Sequence, residues 1–127
     1  MLPLPWKSFT SPKGDKEYVA LLSFLPLKRY RKIATFARLT IETMGQLAKS
    51  RGLIGYSLAA ELMLKRFWTL SVWEDQQSLM DFVREIPHSR IMQELAPHME
   101  KTQFTRWNVR ASEIPIPWAT AQQHLLK

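Results

Sequence analysis

The chain has 127 residues, 46% of them hydrophobic and 23% charged, a size and composition that fit one globular domain and exclude wholesale disorder. It has no cysteine, which removes disulfide frameworks, thiolate metal sites, iron–sulfur clusters and cysteine nucleophiles together. Lys and Arg number 18 against 11 Asp and Glu, for a net charge of +7, and His88, His98 and His124 restrict metal chemistry to mixed His/carboxylate sites. No segment approaches the run of about 18 apolar residues that a membrane span needs. The start, Met1 to Trp6, lacks a basic n-region and is interrupted by Pro3 and Pro5, so a cytoplasmic protein is expected.

Residues 1–16, punctuated by Pro3, Pro5, Pro12 and Gly14, read as an N-terminal arm. The domain proper is expected over 17–112. Tyr18 to Leu25 is a short apolar run ended by Pro26 and predicts the first strand. Ile33, Phe36, Ala37, Ile41, Met44, Leu47 and Ala48 then predict one apolar stripe on a long helix, with Gly52 placed to cap it. Leu53 to Ala60 and Arg66 to Trp73 read as an antiparallel hairpin. Asp75 suits the N-cap of a second helix bearing Leu79, Phe82, Val83 and Ile86. Pro87 breaks that helix and opens another with His88, Ile91, Met92 and Leu95 on one side. Thr102 to Val109 is the last strand. The tail, 113–127, carries a short helical pattern from Pro117 to Leu126.

This order of strand, helix, strand, strand, broken helix, strand predicts an α+β fold. It is the ferredoxin-like split βαβ sandwich, a four-stranded antiparallel sheet with helices on one face. The other face is expected to stay open and to show Phe67 and Trp73 from one strand and Phe104 or Trp107 from another. Such an apolar face predicts a homodimer formed sheet to sheet.

Residues 18–110 resemble the dimeric α/β-barrel superfamily of antibiotic-biosynthesis-monooxygenase-like proteins. The carrying residues are Gly52-Leu-Ile-Gly-Tyr56, Phe67-Trp-Thr-Leu-Ser-Val-Trp-Glu74, Leu79 to Phe82, Pro87-His88 and Arg106-Trp107. The chain is more similar to uncharacterised members related to spheroidene monooxygenase than to the haem-degrading branch. The resemblance implies a ligand pocket between the sheet and the second helix region. It also implies that His88 matches the histidine of the haem-degrading branch. That branch further uses an Asn on the first strand and a Trp on the second helix. Here the sole Asn is Asn108, on the last strand, and Phe82 stands where the Trp belongs. Haem degradation by that route is therefore not implied, while haem bound through His88, or no cofactor at all, stays open.

His88 is the first candidate for chemistry, as a base or an axial ligand, since a helix N-terminus favours the neutral imidazole. Its bland alternative is a buried histidine bonded to a backbone carbonyl. Arg106, mid-strand, is either an anchor for a carboxylate or oxyanion or the partner of Glu74 or Asp81. Trp68, Trp73, Trp107 and Phe82 offer flat walls for a planar ligand, or simply core, and strand alternation keeps Trp68 and Trp73 from lining one cavity. Tyr56 and Ser71 add hydroxyls. No phosphate loop, serine-hydrolase elbow or His-x-x-x-His spacing is present.

The cations Lys28, Arg29, Arg31 and Lys32 oppose the helix dipole and read as a solvated face, with a polyanion or an anionic membrane as the alternative partner. Two functions follow from these readings. One is a monooxygenase-like protein with a small hydrophobic-ligand pocket, oxidising an apolar aromatic or polyene substrate. The other is a non-catalytic dimeric module of the same fold that binds a ligand or serves assembly.

Overall fold

The computed structural model describes residues 2–14, 16–85 and 88–125, with the backbone alone at Leu2, His88 and Ser89. Two short strands, β1 (Leu2–Pro3) and β2 (Lys7–Ser8), precede the long ones, β3 (Glu17–Pro26), β4 (Leu53–Glu61), β5 (Arg66–Trp73) and β6 (Gln103–Arg110). Every pairing is antiparallel, and the long strands lie in the order β4-β5-β3-β6 with β1 and β2 on the outer edge of β4. The helices are α1 (Ile33–Lys49), α2 (Gln76–Arg84), α3 (His88–Leu95) and α4 (Trp118–Gln123). This is the expected ferredoxin-like α+β arrangement.

Local chemistry explains where the elements stop and start. Asp75 caps α2 by accepting a 2.8 Å hydrogen bond from the Ser78 amide. Gly52, just past α1, has φ of +85°, and a β-carbon there would lie 2.2 Å from Ser78 Oγ. Glycine is thus required twice over, by its backbone and by its neighbour.

The apolar stripe of α1 is rotated from the one expected. Phe36, Leu39 and Leu47 are buried, whereas Ile41 is 68% exposed and Ala37 and Ala48 face solvent. The inward side includes Thr40 and Thr43, half-buried, whose hydroxyls donate to the Phe36 and Leu39 carbonyls. With those donors satisfied, threonine packs inward at little cost, and the stripe need not be purely apolar.

Alternation along the strands divides the core into two layers. On the helix side, Leu25 and Phe67 meet Phe36, Leu39, Ile91 and Leu95, and Leu53, Tyr56 and Trp73 meet Leu47, Leu79 and Phe82. Phe67 and Trp73 thus face the helices, not the opposite side as expected. Two adjacent bulky positions of one strand, Phe67 and Trp68 or Val72 and Trp73, must part to the two faces.

That opposite face is not left open. Tyr18, Ala20, Leu22, Trp68, Leu70, Val72 and Val109 carry Ile116 and Ala121 from the tail, with Trp6 and Trp118 packed against them. Ser57 ties both chain ends down: its hydroxyl donates to the Leu4 carbonyl at 2.7 Å and accepts from Trp118 Nε1 at 3.3 Å. The wet apolar surface inferred for a bare sheet is therefore largely covered within one chain.

Candidate cleft on the helix side of the sheet

One row of residues crosses the whole sheet on the helix side. Tyr56 of β4 pairs with Ser71 of β5, Ser71 with Leu21 of β3, and Leu21 with Arg106 of β6. Three strand spacings of about 4.8 Å put Tyr56 and Arg106 roughly 14 Å apart along it. Sequence reading named Tyr56, Ser71 and Arg106 separately; the register puts them in line.

Burial falls along this row. Tyr56 is 4% exposed, Ser71 and Leu21 are half-buried, and Arg106 is exposed. Thr69, one step along β5 on the same side, is also half-buried, and Asn108 and Phe104 of β6 are exposed. Residues in the middle of a sheet are normally sealed by the layer above. Here Leu47 of α1 and Leu79 and Phe82 of α2 cover Leu53, Tyr56 and Trp73, and exposure rises toward the edge strand β6. We take this gradient, apolar at its β4 end and cationic at β6, as a candidate cleft.

Two hydroxyls at the inner end differ in their partners. Trp73, fully buried, donates its Nε1–H to Ser71 Oγ at 2.9 Å, and its ring packs on Phe82 with centroids 5.1 Å apart. The Tyr56 hydroxyl is buried with no hydrogen-bond partner among the described residues, and burial pushes its phenol above the usual value. Its ring stacks on Phe9 of the arm, centroids 5.8 Å apart. Tyr56, Ser71, Trp73 and Phe82 are therefore brought together.

The remaining candidates are distributed otherwise. Trp68 and Trp107 point to the other face, where Trp107 stacks on His124 at 3.8 Å between centroids. Arg106 has no ion pair among the described residues. Glu74 is engaged by Lys16 at 3.0 Å and Asp81 accepts from Gln77. The side chain of His88 lies outside the described residues; its backbone starts α3. Sequence reading missed Phe9 and Trp6, since nothing in a proline-broken arm signals that it returns to β4.

Two small cavities lie apart from the cleft. One, about 130 Å³, is lined by Leu25, Met92, Leu95, Ala96, Met99, Glu100 and Thr102. The other, about 140 Å³, is lined by Lys28, Arg29, Lys32, Pro97 and His98.

Haem held through His88 would rest on a side chain outside the described residues. Of the other histidines, His98 lines the basic cavity and His124 stacks on Trp107. No group of three or more His, Asp or Glu able to hold a metal occurs among the described residues. Nor, among them, is any helix long and apolar enough to cross a membrane.

No family model and no curated protein matches the sequence. The fold, by contrast, has many counterparts among solved structures. A conserved protein from Methanosarcina mazei aligns with TM-score 0.64 at 20% identity, over 71% of this chain and 90% of that one. SnoaB, a cofactor-independent oxygenase from Streptomyces nogalater, solved as a mutant, aligns with TM-score 0.59 at 13% identity, over 71% and 90%. A protein provisionally named an antibiotic biosynthesis monooxygenase, from Nitrosomonas europaea, gives TM-score 0.65 at 13% identity, over 76% and 93%. Other neighbours are longer, and this chain spans only 45% or 48% of them. The chain has the α+β fold of the antibiotic-biosynthesis-monooxygenase-like proteins. At these identities the likeness concerns the fold.

Proposed function

We propose that this protein is monooxygenase-like and binds a small, mostly apolar aromatic or polyene molecule in the cleft on the helix side of its sheet. The observation that carries this reading is the row Tyr56–Ser71–Leu21–Arg106, which runs from a buried hydroxyl to an exposed guanidinium, neither with a partner among the described residues. An apolar body would lie over Leu21, with Phe82 and Trp73 behind it. Arg106 would hold a carboxylate or oxyanion at the mouth. The Tyr56 hydroxyl would donate to an acceptor at the inner end, relieving its own unsatisfied burial. His88, at the start of α3, is the proposed base. Trp68 and Trp107 belong to the other face and are given no part. The naming of SnoaB as a cofactor-independent oxygenase supports a reaction that needs no resident cofactor.

The same reading takes the protein to be a cytoplasmic homodimer. Its contact would then be made over the arm and tail layer that covers the sheet.

The test is oxygen uptake with a panel of polycyclic phenols and polyenes, with products weighed by mass spectrometry. Saturable uptake giving an oxygenated product, and a KM raised on the order of tenfold or more in Arg106→Ala, is the expected result. Saturable binding without uptake would leave the non-catalytic module. No binding by any member of the panel would remove the cleft as a site.

A further inference from the structure

The tip of the β4–β5 hairpin exposes three consecutive large apolar side chains, Leu62 at 52%, Met63 at 83% and Leu64 at 50%. Single exposed leucines need no explanation, but a run of three on a protruding turn does. The tip is not free to fold back. Tyr30 Oη donates to the Met63 carbonyl, the Leu27 amide donates to the Lys65 carbonyl at 2.8 Å, and the Lys65 ammonium sits 4.3 Å from the Tyr30 ring centroid. These contacts fasten the tip to the segment that leads into α1.

That segment is the basic one. Lys28, Arg29 and Arg31 are exposed beside Tyr30, itself 57% exposed, and Lys65 and Arg66 continue the charge onto the hairpin. Among the described residues none of these cations is ion-paired. Lys28, Arg29, Lys32 and His98 also line the recess of about 140 Å³. An apolar tip with cations fastened along one side of it and a cationic recess nearby is complementary to an apolar layer under a sheet of phosphates.

We propose that this end of the molecule seats on an anionic lipid bilayer. Leu62, Met63 and Leu64 enter the headgroup layer, the basic segment lies on the phosphates, and the recess takes one phosphodiester. The protein lies on the membrane and does not cross it. This inference is independent of the reaction proposed above.

Cosedimentation of the full chain with phosphatidylcholine vesicles, with and without roughly 30% phosphatidylserine, tests it. Binding is expected only to the anionic vesicles and is weakened by salt. Arg29→Ala with Lys32→Ala should lower affinity on the order of twentyfold. Leu62→Ser, Met63→Ser and Leu64→Ser together should abolish binding at moderate salt while far-ultraviolet circular dichroism stays native. Arg29, Leu62, Met63 and Leu64 are exposed and Lys32 is half-buried, and the circular dichroism spectrum of each variant separates loss of fold from loss of binding. Equal binding to neutral vesicles, binding to neither, or full binding by the triple-serine variant would overturn the proposal. So would a triple-serine variant whose only change is a smaller oligomer, which would mark the tip as a contact between copies.

Discussion

The indole of Trp6 lies where a side chain on Gly55 would have to go: a β-carbon there would come 2.5 Å from Trp6 Cζ2 and 2.6 Å from Nε1. A glycine in the interior of a strand is thus the seat of the arm. Gly55→Ala should expel Trp6 and cost roughly 1–3 kcal/mol. The cost should shrink when combined with Trp6→Ala, because the clash is then gone. Chemical denaturation of the two single variants and the double variant measures this; simple additivity would show that Trp6 does not rest on Gly55.

Asp75 supplies a prediction about acid stability. Its carboxylate accepts from the Ser78 amide, and that bond holds its pKa below the usual value. A carboxyl whose folded value is depressed contributes stability above its unfolded value, and the contribution is lost as pH falls through the folded value. Asp75→Ala should therefore cost about 1 kcal/mol near neutrality. The deficit against wild type should close below pH ~4, where the unfolded carboxyl takes up its proton. Thermal melts from acid to neutral pH read out both parts.

Tyr56 should behave unlike most buried tyrosines. Its hydroxyl is buried without a partner among the described residues, so Tyr56→Phe removes a desolvation cost and keeps the ring that stacks on Phe9. Stability should hold or rise by up to about 1 kcal/mol, while affinity for a cleft ligand falls. A fall in stability in the ligand-free protein would mean that the hydroxyl has a partner after all.

Helix α1 marks the boundary of what could be read from the sequence. Its existence and extent were legible, because apolar residues recur at helical spacing from Ile33 to Ala48. Its rotation was not. Counting only apolar residues placed Ile41 inward, although Thr40 and Thr43 hold that side by bonding back to their own helix. Leu39→Ala should cost about 2–5 kcal/mol, and Ile41→Ala no more than about 0.5 kcal/mol. Reversed values in denaturant titrations would restore the expected stripe.

The candidate site was legible in a similar, partial way. Residue types pointed to Tyr56, Ser71, Trp73, Phe82 and Arg106, but strand parity without a register could not say which shared a face. Pairing of β4, β5, β3 and β6 supplies that information, and it also sends Trp68 and Trp107 to the other layer. The return of the two chain ends onto the sheet was illegible. Contacts such as Ser57 with Leu4 and Trp118 join residues 53 and 61 apart in sequence, and no local pattern records them.

The arm also settles how the sheet ends. Of the two outermost long strands, β4 has its free flank taken up by β1 and β2, while β6 borders the sheet with no described strand beyond it. An unpaired flank is a template for another chain, and β6 answers this with polar and charged residues, Gln103, Arg106, Asn108 and Arg110. Nothing comparable guards β4, whose sequence from Leu53 to Ala60 is uncharged and mostly apolar. A chain shortened by its arm would fold with that flank bare and would be prone to aggregate by pairing with its own copies. The arm is thus as much a safeguard of solubility as a part of the fold.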